Sequence, residues 1–204
     1  MAIPYTIKNN NYNKNTKDST IYTPERVSVY LFNLLQHHIN PCVLLDPAIG
    51  KGSLTNIWRS RTCKIIGVDI SRVGSDHCDT FIHGKFENIH AWSYESPDLI
   101  LCNPPFNGAK GKKLYSEVFL RKMVDLFGPK VPIAMFAPMG MRLNVRAESK
   151  RWEWMRDTLD ITSIVSLPID CFGLKFHTEI LIFNVPTLKP HYFLYEQSSC
   201  STEG

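Results

Sequence analysis

The chain has 204 residues, 44% hydrophobic and 21% charged, with a formal net charge of +4. That length is enough for one α/β core, and no apolar run reaches the ~18 residues that a membrane-spanning helix needs. Six scattered cysteines form no Cys-x-x-Cys pair and seven histidines show no ligand spacing, so reduced thiols and no metal are expected. Lys8 and Lys14 precede no apolar stretch with a small-residue cleavage site, so the expected location is the cytoplasm, away from any membrane.

Residues 1–20 are polar and Asn/Lys-rich around Asn9-Asn10-Asn11, which predicts a loose N-terminus. Thr23-Pro24 then reads as an N-cap followed by a proline in the first helical turn. Val27, Tyr30, Leu31, Leu34 and Leu35 recur at helical spacing until Pro41. Strands and helices alternate from there. Strands are predicted over 42–46, 64–69, 80–83, 97–102 and 132–137, with helices near 53–60 and 115–127, the latter stopped by Gly128-Pro129. Lys150–Leu159 reads as a helix with Trp152, Met155 and Leu159 on one side, and Ile161–Leu167 and Thr178–Asn184 as two closing strands. This alternation predicts a doubly wound, mostly parallel α/β sheet with an antiparallel strand near the C-terminus. Ligands are then expected at the carboxyl ends of the strands. The predicted domain covers 21–185, and 186–204 reads as a tail.

Two turns at predicted strand ends carry chemistry. The run Leu99-Ile100-Leu101-Cys102 is followed by Asn103-Pro104-Pro105-Phe106. Two prolines stiffen the turn and remove two N–H donors, so its acceptors point one way. The Asn103 side-chain oxygen and the Pro104 carbonyl can both accept from an NH2 group, while Phe106 stacks on a planar ring. Upstream, Val43-Leu44-Leu45-Asp46 leads into Pro47-Ala48-Ile49-Gly50-Lys51-Gly52-Ser53-Leu54, a glycine turn that lets the backbone approach a ligand. Lys51 lies between the glycines and no Gly-Lys-Ser/Thr follows, which excludes a phosphate loop and a full dinucleotide fingerprint. Lys64-Ile65-Ile66-Gly67-Val68-Asp69 ends in an acid 23 positions beyond Asp46, suited either to ribose hydroxyls or to capping a helix.

In this order, Asp46-Pro-Ala-Ile-Gly-Lys-Gly-Ser, Gly67-Val-Asp69-Ile70 and Asn103-Pro-Pro-Phe106 resemble the S-adenosylmethionine-dependent N6-adenine DNA methyltransferases. Tyr22-Thr23-Pro24 is similar to the family's N-terminal cofactor motif. Leu167-Pro168, Phe172 and Thr178-Glu-Ile-Leu-Ile-Phe183 are similar to its late motif in type I restriction-modification methylation subunits. The motif order resembles the γ arrangement, and the match spans roughly 20 to 185. The resemblance implies a Rossmann-like methyltransferase sheet, S-adenosylmethionine as cofactor, and DNA as partner. It implies catalytic roles for Asn103, Pro104, Pro105 and Phe106. It implies cofactor contacts for Tyr22, Thr23, Asp46, Ala48, Gly50, Gly52, Asp69, Ile70, Phe86 and Asn103. Enzymes acting on RNA adenine or protein glutamine share the Asn-Pro-Pro-Phe turn and stay open as alternatives, as does an inactive methyltransferase-like partner subunit.

The chain departs from the family pattern at Gly84-Lys85-Phe86, where related enzymes often carry Gly-Asp-Phe. A lysine only donates, so it cannot accept from the cofactor's adenine amino group. Asp79, just before the weak third strand, is the candidate substitute. Lys110, Lys112 and Lys113 after one turn, and Arg142, Arg146, Lys150 and Arg151 after the next strand, form two basic segments placed to meet phosphates. No stretch reads as a target-recognition domain. Either a separate recognition subunit, low specificity, or a fragment or degenerate copy is expected.

Overall fold

The computed structural model describes residues 21–61, 63–105, 114–143, 149–172 and 177–194. The segment 1–20, expected to be loose, and Phe106, Lys110, Lys112, Lys113 and Arg146 lie outside the described residues.

Eight strands form one sheet in the order β3-β2-β1-β4-β5-β7-β6-β8. They are β1 (Val43–Asp46), β2 (Lys64–Asp69), β3 (Thr80–His83), β4 (Leu99–Cys102), β5 (Ile133–Pro138), β6 (Ile161–Ser166), β7 (Thr178–Phe183) and β8 (His191–Phe193). The pairs from β3 through β5 are parallel, and β7 runs antiparallel to both β5 and β6. The order reverses between β1 and β4, which opens a crevice at their carboxyl ends.

Alternate residues of each strand enter opposite cores. Leu44, Ile65, Leu101, Phe136 and Ile180 pack with Val27, Leu31 and Leu35 of helix α1 (Glu25–Leu35). Leu45, Ile66, Ile100, Met135 and Leu181 pack instead with Phe119, Leu120 and Met123 of α2 (Tyr115–Phe127). Burial on both faces explains why these strands read as unbroken apolar runs. Gly128, with φ +81°, ends α2, and its N–H reaches the Val124 carbonyl. Two further helices follow β5, α3 (Gly140–Leu143) and α4 (Lys150–Thr158).

Three expectations need correction. The helix near 53–60 is a 3-10 segment over Asn56–Arg61, entered through turns after Gly50 and Gly52. Its Trp58 inserts edge-on against Phe32, with ring centroids 5.0 Å apart. The short span left before β2 suits the longer rise of a 3-10 turn. Thr23 does not cap α1; Pro24 holds the cap position without a side-chain bond. Finally, the presumed tail from 186 contributes β8, which pairs parallel with β6. Three residues directly after Pro190 carry too little alternation to announce a strand.

Two buried glutamates tie the segment after β5 to the sheet. Arg142 of α3 forms a fork on Glu179, Nε to Oε1 at 3.1 Å and Nη2 to Oε2 at 2.9 Å. Arg151 of α4 donates to Glu117 at 2.6 Å, and Arg121 pairs with the other oxygen of that carboxylate. Arg142 and Arg151 therefore neutralise interior carboxylates, and the basic segment expected there loses two of its four charges. Replacing Arg142 by alanine strands the Glu179 charge, whose side chain is 2% exposed. Urea denaturation of Arg142→Ala should show a loss of about 3 kcal/mol; a loss near zero would mean that water replaces the arginine.

Candidate active site

The crevice is built by three turns that the fold brings to one edge. The first follows β1. Asp46, 1% exposed, ends that strand and accepts from the Ala48 N–H at 2.9 Å. Gly50 has φ +52° and Gly52 φ +68°, a left-handed pair that turns the chain back toward β2. The turn docks there by Ile49 N–H to the Val68 carbonyl at 3.1 Å. Gly67 makes the docking possible, because a Cβ at that position would lie 2.6 Å from Ile49 Cδ1.

The second turn follows β2. One Asp69 oxygen accepts from the Gly50 N–H at 2.9 Å and the other from the Ser71 N–H at 2.8 Å. Ser71 is itself the cap of the next 3-10 segment, Arg72–His77. Asp69 thus clamps both turns, and its carboxylate has further acceptor capacity. Ile70 beside it is a large apolar side chain, 67% exposed.

The third turn follows β4 and meets the N-terminal element. Asn103 Nδ2 donates to Thr23 Oγ1 at 3.0 Å, across 80 positions of sequence. Its Oδ1 is buried and has no hydrogen-bond partner. Pro104 is buried and Pro105 exposed. Tyr22 lies over the first turn, since a Cβ on Gly50 would be 3.0 Å from its ring, and Lys51 Nζ sits 4.7 Å from the ring centroid.

The structure thus gathers Tyr22, Thr23, Asp46, Ala48, Gly50, Gly52, Asp69, Ile70 and Asn103 around one edge; Phe86 follows β3 at that edge, just after Gly84, whose N–H donates to the Asp69 carbonyl, whereas Asp79 lies elsewhere. Phe86 is 1% exposed and packs its ring on Phe119 in the α2-side core. Asp79 accepts from the Ile65 N–H at 2.7 Å, at the amino end of β3, a strand length from the crevice. It cannot replace the acceptor that Lys85 lacks. The Thr23–Asn103 bond and the Lys51–Tyr22 contact escaped sequence reasoning, because nothing local marks a partner 80 or 29 residues away.

Burial pushes the Asp46 carboxyl up to about 7, helped by repulsion from Asp69 and opposed by the Ala48 N–H. Burial, with Asp46 nearby, also raises the Cys102 thiol, keeping it protonated at neutral pH. Among the described residues no group of three or more His, Cys, Asp or Glu could hold a metal ion, and no helix is long and apolar enough to cross a membrane.

Neither a family model nor a curated protein sequence matches the chain. Solved structures do. A Listeria monocytogenes protein described as a class I S-adenosylmethionine-dependent methyltransferase superposes with TM-score 0.67 at 16% identity, covering 90% of this chain and 69% of its own. The type I restriction-modification methyltransferase subunit of Streptococcus thermophilus gives TM-score 0.65 at 17% identity, covering 87% and 48%. The EcoKI M protein gives 0.62 at 17%, covering 84% and 45%. The chain therefore has the Rossmann-like fold of class I S-adenosylmethionine-dependent methyltransferases. It spans just under half the length of the two restriction-modification subunits.

The Asp46 titration has a measurable consequence. The folded protein holds this proton up to about pH 7, while an unfolded carboxyl releases it near 3.8. Between those values the folded state binds more protons, so this group's contribution to stability falls as pH rises through the window. Denaturation across that range should show a flatter profile for Asp46→Asn and a more stable variant above neutral pH. Parallel profiles for variant and parent would show that the carboxyl titrates normally.

Proposed function

We propose that this chain methylates the exocyclic N6 of an adenine flipped out of DNA, with S-adenosylmethionine as donor. The observation that carries the reading is Asn103. Its Nδ2 is engaged by Thr23, which leaves a buried oxygen with no donor to satisfy it. Such an orphan costs about 1–3 kcal/mol, and an arriving N–H removes that penalty.

The crevice also fits the donor. Asp46 suits its ammonium, Asp69 its ribose hydroxyls, and Ile70 the apolar face of its adenine. Gly50 and Gly52 give close backbone approach, with Tyr22, Thr23 and Ala48 at the amino-acid end. Bound there, S-adenosylmethionine supplies an electrophilic methyl group. The chain's own residues do the positioning. Asn103 Oδ1 and the Pro104 carbonyl accept from the target amino group and aim its lone pair, while Phe106 stacks on the base. Orientation of this kind supplies about 7–11 kcal/mol, against a flipping cost of a few kcal/mol. Cys102, buried and held protonated, is no nucleophile, which supports direct transfer without a covalent intermediate.

DNA is favoured over RNA or protein by the Thr23 element joined to Asn103 and by the likeness to restriction-modification subunits. A separate subunit that reads the sequence is part of the proposal, because Arg142 and Arg151 at this edge are already paired with glutamates.

Incubation with methyl-labelled donor and mixed-sequence DNA should yield N6-methyladenine; label confined to RNA or to protein glutamine would replace the substrate. Asn103→Ala should remain folded and lose about a hundredfold or more in turnover, the scale seen when one preset polar group leaves a water-excluded site. Parental turnover in that variant sinks the reading.

Asp69→Ala should raise the calorimetric Kd for S-adenosylmethionine about ten- to a hundredfold, the worth of a hydrogen bond to a charged group. An unchanged Kd would reduce Asp69 to a clamp between the two turns.

A further inference from the structure

Lys51 is the one charged side chain between the two glycines, and it is exposed. Its ammonium is held 4.7 Å from the centroid of the Tyr22 ring, within cation–π range. The Tyr22 ring lies against the glycine turn, its edge 3.0 Å from where a Cβ on Gly50 would stand. Among the described residues no carboxylate pairs with Lys51. An ammonium facing a ring keeps N–H donors free for a second partner. The turn therefore presents, beside the Tyr22 ring, a cation with spare donors and no carboxylate partner among the described residues.

The placement of that cation selects its anion. Gly50 donates to Asp69, so the Tyr22–Lys51 pair stands over the β1–β2 side of the crevice, where the methyl donor is assigned above. The turn that would receive a base follows β4, on the other side of β1. The amino-acid end of the donor carries an ammonium and a carboxylate on one carbon. The glycine turn carries the opposite pair, the Asp46 carboxyl at its start and the Lys51 ammonium five positions later. Asp46 alone would favour any amine. Only the pair distinguishes an amino acid from an amine.

We propose that Lys51 is a specificity-determining residue that receives the carboxylate of the donor's amino-acid end, its ammonium steered there by the ring of Tyr22. The assignment rests on the reading of the crevice as a site for S-adenosylmethionine. Its chemical consequence is discrimination against decarboxylated S-adenosylmethionine, which has the same adenosine, sulfonium and ammonium and lacks only the carboxylate.

Calorimetric titration of the parent and of Lys51→Met with both compounds tests it. Methionine keeps an unbranched apolar stem beside Tyr22 and removes the charge. The parent should bind S-adenosylmethionine about tenfold or more tightly than the decarboxylated compound, as a charge-assisted hydrogen bond allows. Lys51→Met should bind the two within about twofold of each other, and Lys51→Arg should retain the parental preference. A preference undiminished in Lys51→Met overturns the proposal. So does an equal loss for both ligands, which would make Lys51 only a support for Tyr22. A variant that keeps the ligand preference and loses affinity for DNA would reassign the cation to a phosphate. If the parent binds neither compound, the donor reading falls and this assignment falls with it.

Discussion

Burial of both faces of the sheet is the constraint from which the site follows. With α1 packed on one side and α2 on the other, the middles of β1, β2 and β4 are filled by apolar side chains such as Leu45, Ile66, Ile100 and Leu101. Polar side chains bound for a ligand are pushed to the strand ends. At the carboxyl ends of β1, β2 and β4 the backbone must turn, and there Asp46, Asp69 and Asn103 are found. The reversal of strand order between β1 and β4 separates their following connections and leaves a crevice between them.

Within that crevice, rigidity comes from hydrogen bonds that link turns rather than residues of one turn. Asp69 holds the turn after β1 by the Gly50 N–H and its own turn by the Ser71 N–H. Thr23 holds Asn103 in one orientation. The consequence is directional. With Nδ2 bonded to Thr23 and Oδ1 buried without a partner, the unsatisfied end of the amide is an acceptor, which favours an arriving N–H donor. A preset acceptor loses little entropy when its partner arrives, and under the proposed function this makes orientation the main source of rate.

Electrostatics divide the edge into two regions. On the β1–β2 side, the buried Asp46 carboxyl interacts with the Asp69 carboxylate, and the Lys51 ammonium stands over the Tyr22 ring, one residue beyond the Gly50 N–H that Asp69 binds. Towards β5 and β7, charge is cancelled internally, Arg142 by Glu179 and Arg151 by Glu117. These pairs fasten α3 and α4 to the sheet and α2. The formal charge of this segment therefore overstates its free charge, because the acids that neutralise Arg142 and Arg151 lie 34 to 37 positions away.

The alternation of apolar runs with helical stretches determined the parallel sheet, its antiparallel closing strand and the placement of the glycine and Asn-Pro-Pro turns at strand ends. Those features follow from local patterning, since double-sided burial writes itself as unbroken apolar strands and left-handed turns require glycine. Where the chain had to choose among contacts, the sequence was silent or misleading. Thr23 fits a helix cap by every local rule, yet its hydroxyl serves Asn103. Asp79 has the right chemistry for a missing acceptor, yet it caps β2 at the far end of the sheet through Ile65. Only the tertiary structure decided these, because the partner of a polar or aromatic side chain is set by strand order and register, which bring together residues that no local spacing connects.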